Sequence, residues 1–291
     1  MSVTLFGSTL LRRAGEPLNI GLQGTTLELL WFLVICAGRE TRREFIADRF
    51  WRNSTVDRQR SALNSAVWRI GKKLRDHPEL RLEVTDRTLA MKIDPSIPVD
   101  AHELCDAVRA ACDCDGVTQQ AAERLEAALF ATEAPFMDGF DGDWTLAERE
   151  RISNIRFRGM ITLMHWHGGN RAYEDALQIG RSLLHQDPYR EAVQIDMMWL
   201  YVLNGQRVQA IKQYEAFAAV LNKELAIEPM RETRALYDHI RNELDSWPNH
   251  SVRPAVSILQ GGAAQESLAL GLAAAEQSRR DFYQTLHART S

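Results

Sequence analysis

The chain has 291 residues, 45% of them hydrophobic and 25% charged, with a formal net charge of −4. That balance is ordinary for a globular protein, excludes a low-complexity or fibrous chain, and the length suggests two domains. The longest apolar run, residues 29–37, is about half of the roughly 18 residues a membrane span needs.

The opening MSVTLFGSTLLRR places charge after its apolar stretch. A secretory signal places it before, so a cytoplasmic, nucleoid-associated protein without a membrane partner is expected. Cys36, Cys105, Cys112 and Cys114 suit free thiols better than a disulfide framework. The C-x-C at 112–114 lacks a second pair or a histidine at ligand spacing, so neither metal nor cofactor is expected.

The charge is unevenly spread. Residues 1–95 hold 16 Lys and Arg against 11 Asp and Glu, a balance of +5; the remainder holds 19 against 28, a balance of −9. A locally basic module on an acidic chain suits a nucleic-acid partner, because counterion release depends on local charge.

In chain order, short β-like runs at 3–6, 10–12 and 18–20 are separated by Gly7-Ser8 and Ala14-Gly15-Glu16-Pro17, both turn signals. An apolar helix follows over 26–37, with Gly38 as its C-cap. Thr41-Arg42-Arg43-Glu44 has the form of a capping box, predicting a short helix over 42–50. Asn53-Ser54-Thr55 breaks the pattern before a third helix, 57–76.

That third helix carries the strongest signal. Leu63, Val67, Ile70 and Leu74 fall at i, i+4, i+7 and i+11 and line one face. Arg58, Ser61, Ser65, Trp68, Arg69 and Lys72 occupy the opposite arc, with no acidic residue between Arg58 and Arg75. An outward Trp68 needs a reason: burial against a neighbouring hairpin, or contact with DNA. Gly71 costs about 1 kcal/mol relative to Ala in a helix interior and is expected to allow close packing. Runs at 80–84 and 89–93 flank Thr85-Asp86-Arg87-Thr88 and predict a β-hairpin. Short strands, three helices and a closing hairpin are the order of a winged helix, whose third helix enters the major groove.

Beyond Val99 helices are expected at 100–113, 117–130, 143–167, 170–186, 188–204, 207–223 and 229–245. Tyr173-Glu174-Asp175-Ala176-Leu177 repeats as Arg207-Val208-Gln209-Ala210-Ile211 at an offset of 34 residues, the tetratricopeptide period. Ala176 and Ala210 would sit where two helices approach closely. His165 and His167, at i and i+2, do not form a metal pair; one is expected buried and the other solvated. Tyr173, Trp199, Tyr201 and Tyr214 are expected in the core rather than in a ligand groove. An Ala-rich helix at 265–286, after a linker, is expected to dock on the repeats.

The fold class is therefore mostly α with a small α+β N-terminal domain: a winged helix-turn-helix followed by a TPR-like α-helical repeat domain. The expected domains are 1–97, 98–247, and 248–291 as linker and terminal helix.

Several segments resemble the antibiotic-regulatory class of bacterial activators, often abbreviated SARP. They include Arg43-Glu44-Phe45-Ile46-Ala47-Asp48-Arg49-Phe50-Trp51 and Val67-Trp68-Arg69-Ile70-Gly71-Lys72-Lys73-Leu74. Further on come Val99-Asp100-Ala101, Asp143-Trp144, Glu148-Arg149, Asp187-Pro188-Tyr189-Arg190-Glu191-Ala192 and Ala210-Ile211-Lys212-Gln213-Tyr214-Glu215. The resemblance implies an OmpR-type winged helix joined to a bacterial transcriptional activator domain, a DNA-binding activator and no enzyme. It implies binding to repeated promoter sites as a homodimer. It also implies RNA polymerase contact through Trp51, Arg52, Asn53, Ser54, Thr55 and Val56. Arg58, Ser61, Asn64, Ser65, Trp68, Arg69 and Lys72 would face the groove, Asn64, Ser65 and Arg69 reading bases, with Arg87 reaching DNA from the hairpin. This chain has Gly71 where the family usually carries arginine. The competing reading is a TPR-type adaptor whose repeats bind a protein or small effector and whose winged helix does not read DNA. No G-x-x-x-x-G-K-[ST] phosphate loop occurs.

Overall fold

The computed structural model describes residues 1–112 and 117–242. The chain forms two compact units, divided between Thr162 and Leu163.

The first unit opens with β1 (Ser2–Thr4), β2 (Leu10–Arg13) and β3 (Glu16–Leu18), an antiparallel sheet in that order. Arg13 pairs with Glu16 across a two-residue turn. Its central Ala14 and Gly15 both take positive φ, 52° and 89°, as a type I′ hairpin requires. This turn is shorter than the four-residue break expected from sequence, so the third strand starts at Glu16 rather than Leu18. Three helices follow: α1 (Gly24–Ile35), α2 (Arg43–Trp51) and α3 (Val56–Leu74). β5 (Leu80–Val84) and β6 (Thr88–Ile93) then form the hairpin.

A short strand β4 (Thr41–Arg42) was not foreseen; it pairs with β6, giving the order β4-β6-β5. It also overturns the capping box. Thr41 is committed to the sheet, the N-cap of α2 is Arg42 without a side-chain cap, and the Arg43 N–H donates to the Arg87 carbonyl at 2.9 Å. The sheet supplies the partner a capping side chain would have supplied. Gly38 (φ 80°) follows the α1 C-cap, Cys36, and donates to the Met91 carbonyl at 2.9 Å. The core gathers Leu29, Leu30 and Leu33 of α1, Ile46 of α2, Leu63 and Ile70 of α3, and Leu80, Leu89 and Met91 of the hairpin, all buried.

α4 (Asp100–Cys112) and α5 (Gln119–Ala131) belong to this same unit, and α6 (Asp143–Gly169) begins in it. The Asp100 carboxylate accepts from the Leu5 and Phe6 backbone N–H groups at 2.8 and 3.1 Å and from Ala101 at 2.7 Å. It thereby ends the β1 strand on the first turn of α4. Arg149 donates to the carbonyls of Phe136, Met137 and Phe140 at 3.0–3.1 Å. This fixes a loop whose Met137 N–H in turn donates to Leu5 at 2.7 Å. The Trp144 indole donates to Glu28 of α1 at 3.3 Å and meets Phe32 edge-on at 5.6 Å.

The second unit holds α7 (Tyr173–Gln186), α8 (Glu191–Leu203), α9 (Arg207–Leu225) and α10 (Arg231–Asn242). α7 and α9 start 34 residues apart, as the repeat predicts, and Ala176 and Ala210 are fully buried. Close approach is sharpest at Gly180: a Cβ there would lie 2.1 Å from the Met197 sulfur. α9 ends on Ala226 in the left-handed region. No helix among the described residues is long and apolar enough to cross a membrane. The expected helix at 265–286, Cys114 and residues 243–291 lie outside the described residues.

Candidate nucleic-acid interface

α3 separates its two faces as the periodicity predicts. Leu63, Ala66, Val67, Ile70 and Leu74 are buried, while Arg58, Ser61, Asn64, Ser65, Trp68, Arg69 and Lys72 are all exposed. Asp57 is the only acidic residue in the helix. Trp68 is 65% exposed, so burial against the hairpin does not explain it. The Lys72 ammonium lies 5.1 Å from its ring centroid. This cation–π contact presents an aromatic face and a positive charge together on the outer surface. Gly71 is exposed and a Cβ there would meet nothing within 4 Å, so the close packing expected of it is absent.

The hairpin holds Arg87 close to this helix pair. The Thr85 hydroxyl accepts from the backbone N–H groups of Arg87 and Thr88 at 3.2 and 2.9 Å. With Arg43 bonded to the Arg87 carbonyl, the tip is tied to α2 while the Arg87 side chain stays exposed.

Asn64 is not free. Arg43 of α2 donates to its Oδ1. Because a guanidinium can only donate, the contact fixes the amide orientation. Asn64 therefore turns its NH₂ outward as a donor. Sequence reasoning missed Arg43, whose role depends on the α2–α3 angle.

The two flanks of α3 differ in charge. On the hairpin side a groove of about 500 Å³ is lined by Arg43, Glu44, Arg60, Asn64 and Asp86 among others, cations and anions together; Arg60 and Glu44 sit 3.7 Å apart. On the α1 side a similar groove is lined by Gln23, Thr25, Thr26, Arg58, Ser61, Ser65 and Arg69 among others, with no acidic residue. In the α2–α3 turn Arg52, Asn53, Ser54, Thr55 and Val56 are exposed and Trp51 is half-buried. The Trp51 carbonyl accepts from the Ser54 N–H at 2.9 Å and from the Gln59 amide at 3.1 Å, which shapes the turn. Arg52 reaches Asp143 only at 3.9 Å, both side chains solvated, a contact worth little.

Among the described residues no group of three or more His, Cys, Asp or Glu could hold a metal ion.

The model of the bacterial transcriptional activator domain family matches residues 99–241. The chain carries a bacterial transcriptional activator domain. It is homologous to the transcriptional regulatory protein MoaR1 of Mycobacterium tuberculosis and of Mycobacterium bovis. Each is 23% identical over 279 residues, covering 86% of this chain and 85% of the relative. Its fold is that of Mycobacterium tuberculosis EmbR, solved in complex with a low-affinity phosphopeptide. The TM-score is 0.69 at 20% identity, covering 94% of this chain and 69% of that one.

Within the activator domain, the segments that carried the resemblance are structural. Asp100 and Arg149 make the bonds described above. Burial pushes the Asp100 carboxyl above its ordinary value, against its three backbone hydrogen bonds. In the second unit Glu191 accepts from the Met230 N–H at 2.6 Å and from the Thr233 hydroxyl, pinning the start of α10 to α8. Gln213 donates to Gln194 at 2.6 Å, joining α9 to α8. Trp199, Tyr201 and Tyr214 are partly buried against a core of Met198, Ala210, Leu236 and Ile240. Tyr214 stacks on Tyr237 at 4.1 Å. The histidine expectation fails, since neither is buried. His165 is exposed and bonded to Asp196 at 2.8 Å, and the half-exposed His167 meets the neighbouring Trp166 ring. Cys36, Cys105 and Cys112 are free thiols.

Proposed function

We propose that the chain is a sequence-specific DNA-binding transcriptional activator that binds repeated promoter sites as a homodimer and recruits RNA polymerase. In this reading residues 1–97 bind DNA, residues 98–247 form the activator domain, and 248–291 are a linker and terminal helix. The exposed stripe of α3 carries the proposal. Arg58, Arg69 and Lys72 form no ion pair among the described residues, and the outer face offers donors, hydroxyls and an aromatic ring without a carboxylate. Cations position a protein on phosphates and polar groups read base edges. Asn64, Ser65 and Arg69 are the base readers. Asn64, with its oxygen held by Arg43, favours an acceptor such as a purine N7 over the paired donor and acceptor edge of adenine. Arg87 reaches a phosphate or the minor groove from the hairpin. The α2–α3 turn is the polymerase contact, its Arg52–Val56 stretch exposed and its shape fixed through Trp51.

In-vitro transcription from a promoter fragment that the protein binds tests both halves of the proposal. Asn53→Ala/Thr55→Ala is expected to keep DNA affinity within twofold and lose activation. A variant that activates normally would remove the turn from the mechanism. Loss of binding as well would show the turn to be part of the DNA surface.

One observation favours an added effector site on the repeats: Leu225, Ile227 and Met230, three large apolar side chains close together in sequence at the α9–α10 turn, are left exposed. An apolar segment of a protein effector is the partner class such side chains suit. Ile227→Asp/Met230→Asp is expected to abolish effector-dependent activation while leaving DNA affinity unchanged, and unaltered activation would exclude this surface.

A further inference from the structure

α1 begins in an unusual way. Its N-cap, Gln23, provides no side-chain hydrogen bond, its first turn contains no acidic residue, and Gly24 takes φ +52°. The first N–H groups of a helix need an acceptor and carry the positive end of its dipole. Here the protein supplies none from the cap. Thr26, in the first turn, is 93% buried, yet its hydroxyl has no hydrogen-bond partner among the described residues. It is not fully shut away, because Thr26 lines the α1-side groove. A nearly buried threonine whose side chain makes no hydrogen bond among the described residues thus lines a groove headed by uncapped amides.

The opposite wall of that groove is α3. Arg58, Ser61, Ala62, Ser65, Ala66 and Arg69 line it, a stripe whose middle is made of small side chains. Its two guanidiniums are eleven residues apart, about 16 Å along the axis at 1.5 Å per residue. Neither forms an ion pair among the described residues. No acidic side chain enters the groove, unlike the one on the other flank of α3.

We propose that this groove seats a phosphodiester: the Gly24–Thr26 amides and the Thr26 hydroxyl hold phosphate oxygens, and Arg58 and Arg69 bracket the strand on either side. The inference rests on the DNA-binding reading and deepens it, by giving α1 a role in holding the backbone while α3 reads bases. Anchoring from two helices fixes the register of α3 in its groove. The same chemistry would accept a free phosphate, and the test separates the two sources.

The test uses full-length protein and Gln23→Glu. A carboxylate at an exposed helix N-terminus favours the helix, so this variant folds at least as well as wild type while repelling an anion. Gln120→Glu, the same change in the first turn of α5, is the control. Two measurements are made: amide NMR shifts of Gly24, Thr25 and Thr26 on adding inorganic phosphate, and affinity for a random-sequence 30-base-pair duplex across a salt series. The expected results are shifts in wild type that Gln23→Glu abolishes, and about tenfold weaker duplex binding by Gln23→Glu. The slope of log K against log salt should fall in magnitude by about one phosphate, roughly 0.9, with the control unchanged. Phosphate shifts without any duplex binding would keep the anion seat, assign it to a free phosphate and overturn the DNA reading. Salt-dependent duplex binding that Gln23→Glu leaves unaltered, with no phosphate shifts, would overturn the seat and spare that reading.

Discussion

Replacing Gly71 by Ala is expected to stabilise the first unit. Gly71 lies inside α3, its φ is not in the left-handed region, and an added Cβ meets no atom within 4 Å. The substitution therefore has no steric cost, and it removes the entropy that glycine loses in a helix, a gain of about 1 kcal/mol. For a unit of this size the unfolding entropy converts this to roughly 3 °C in Tm. Differential scanning calorimetry of the full-length protein reads it as an upward shift of the transition that contains α3. Gly71→Pro is expected to destabilise the same unit by about 2 kcal/mol, the difference between about 3 for proline and about 1 for glycine relative to alanine. A Gly71→Ala variant whose Tm stays level or falls would refute the reasoning, because it would mean that α3 does not run uninterrupted through position 71.

Other substitutions follow the same logic. Asp100→Ala leaves the Leu5, Phe6 and Ala101 amides without their acceptor, costing about 3 kcal/mol or more at about 1–3 per buried group, measured by urea denaturation. Because burial holds the Asp100 carboxyl above its ordinary value, the folded state takes up that proton before the unfolded state does. The carboxyl's own contribution therefore favours folding more as pH falls through that window, and the stability of wild type relative to Asp100→Asn should rise there; a fall would reverse the assignment. Gly180→Ala places a methyl group 2.1 Å from the Met197 sulfur. It should cost about 1–3 kcal/mol as Met197 is forced off its rotamer, and circular dichroism melting would register a drop of several degrees. Trp68→Ala removes a solvated ring and is expected to leave Tm within 1 °C, while weakening duplex binding about tenfold; an unchanged affinity would make the tryptophan a bystander.

What the sequence revealed was local. The stripe of α3, the β5–β6 hairpin and the 34-residue repeat all depend on spacing within one element or between neighbours, and hydrophobic period reads those directly. The capping box failed because Thr41 had a competing partner: β6, nearly fifty residues on, claims it for a sheet. The links that unite the first unit span longer gaps still. Asp100 meets Leu5 across 95 residues and Trp144 meets Glu28 across 116, so their residue types could be matched to a family while their partners could not be named. The same holds at the interface. The exposure of Arg58, Ser61, Asn64, Ser65, Trp68, Arg69 and Lys72 followed from the helical period. The grip of Arg43 on Asn64 and the bare hydroxyl of Thr26 follow from how three helices meet. Gly71 looked like a packing residue because glycine inside a helix commonly is one, and only the empty space beside it shows otherwise.

The central claim is that α3 reads DNA sequence, and selection from a random duplex library by the full-length protein tests it most directly, repeated with Arg69→Ala/Lys72→Ala. Enrichment of a repeated motif by the wild type, lost in the double variant, is the predicted result. A library that stays random under the wild type, at salt low enough for phosphate contacts to hold, would contradict the account and leave the repeats as the surface to which function belongs.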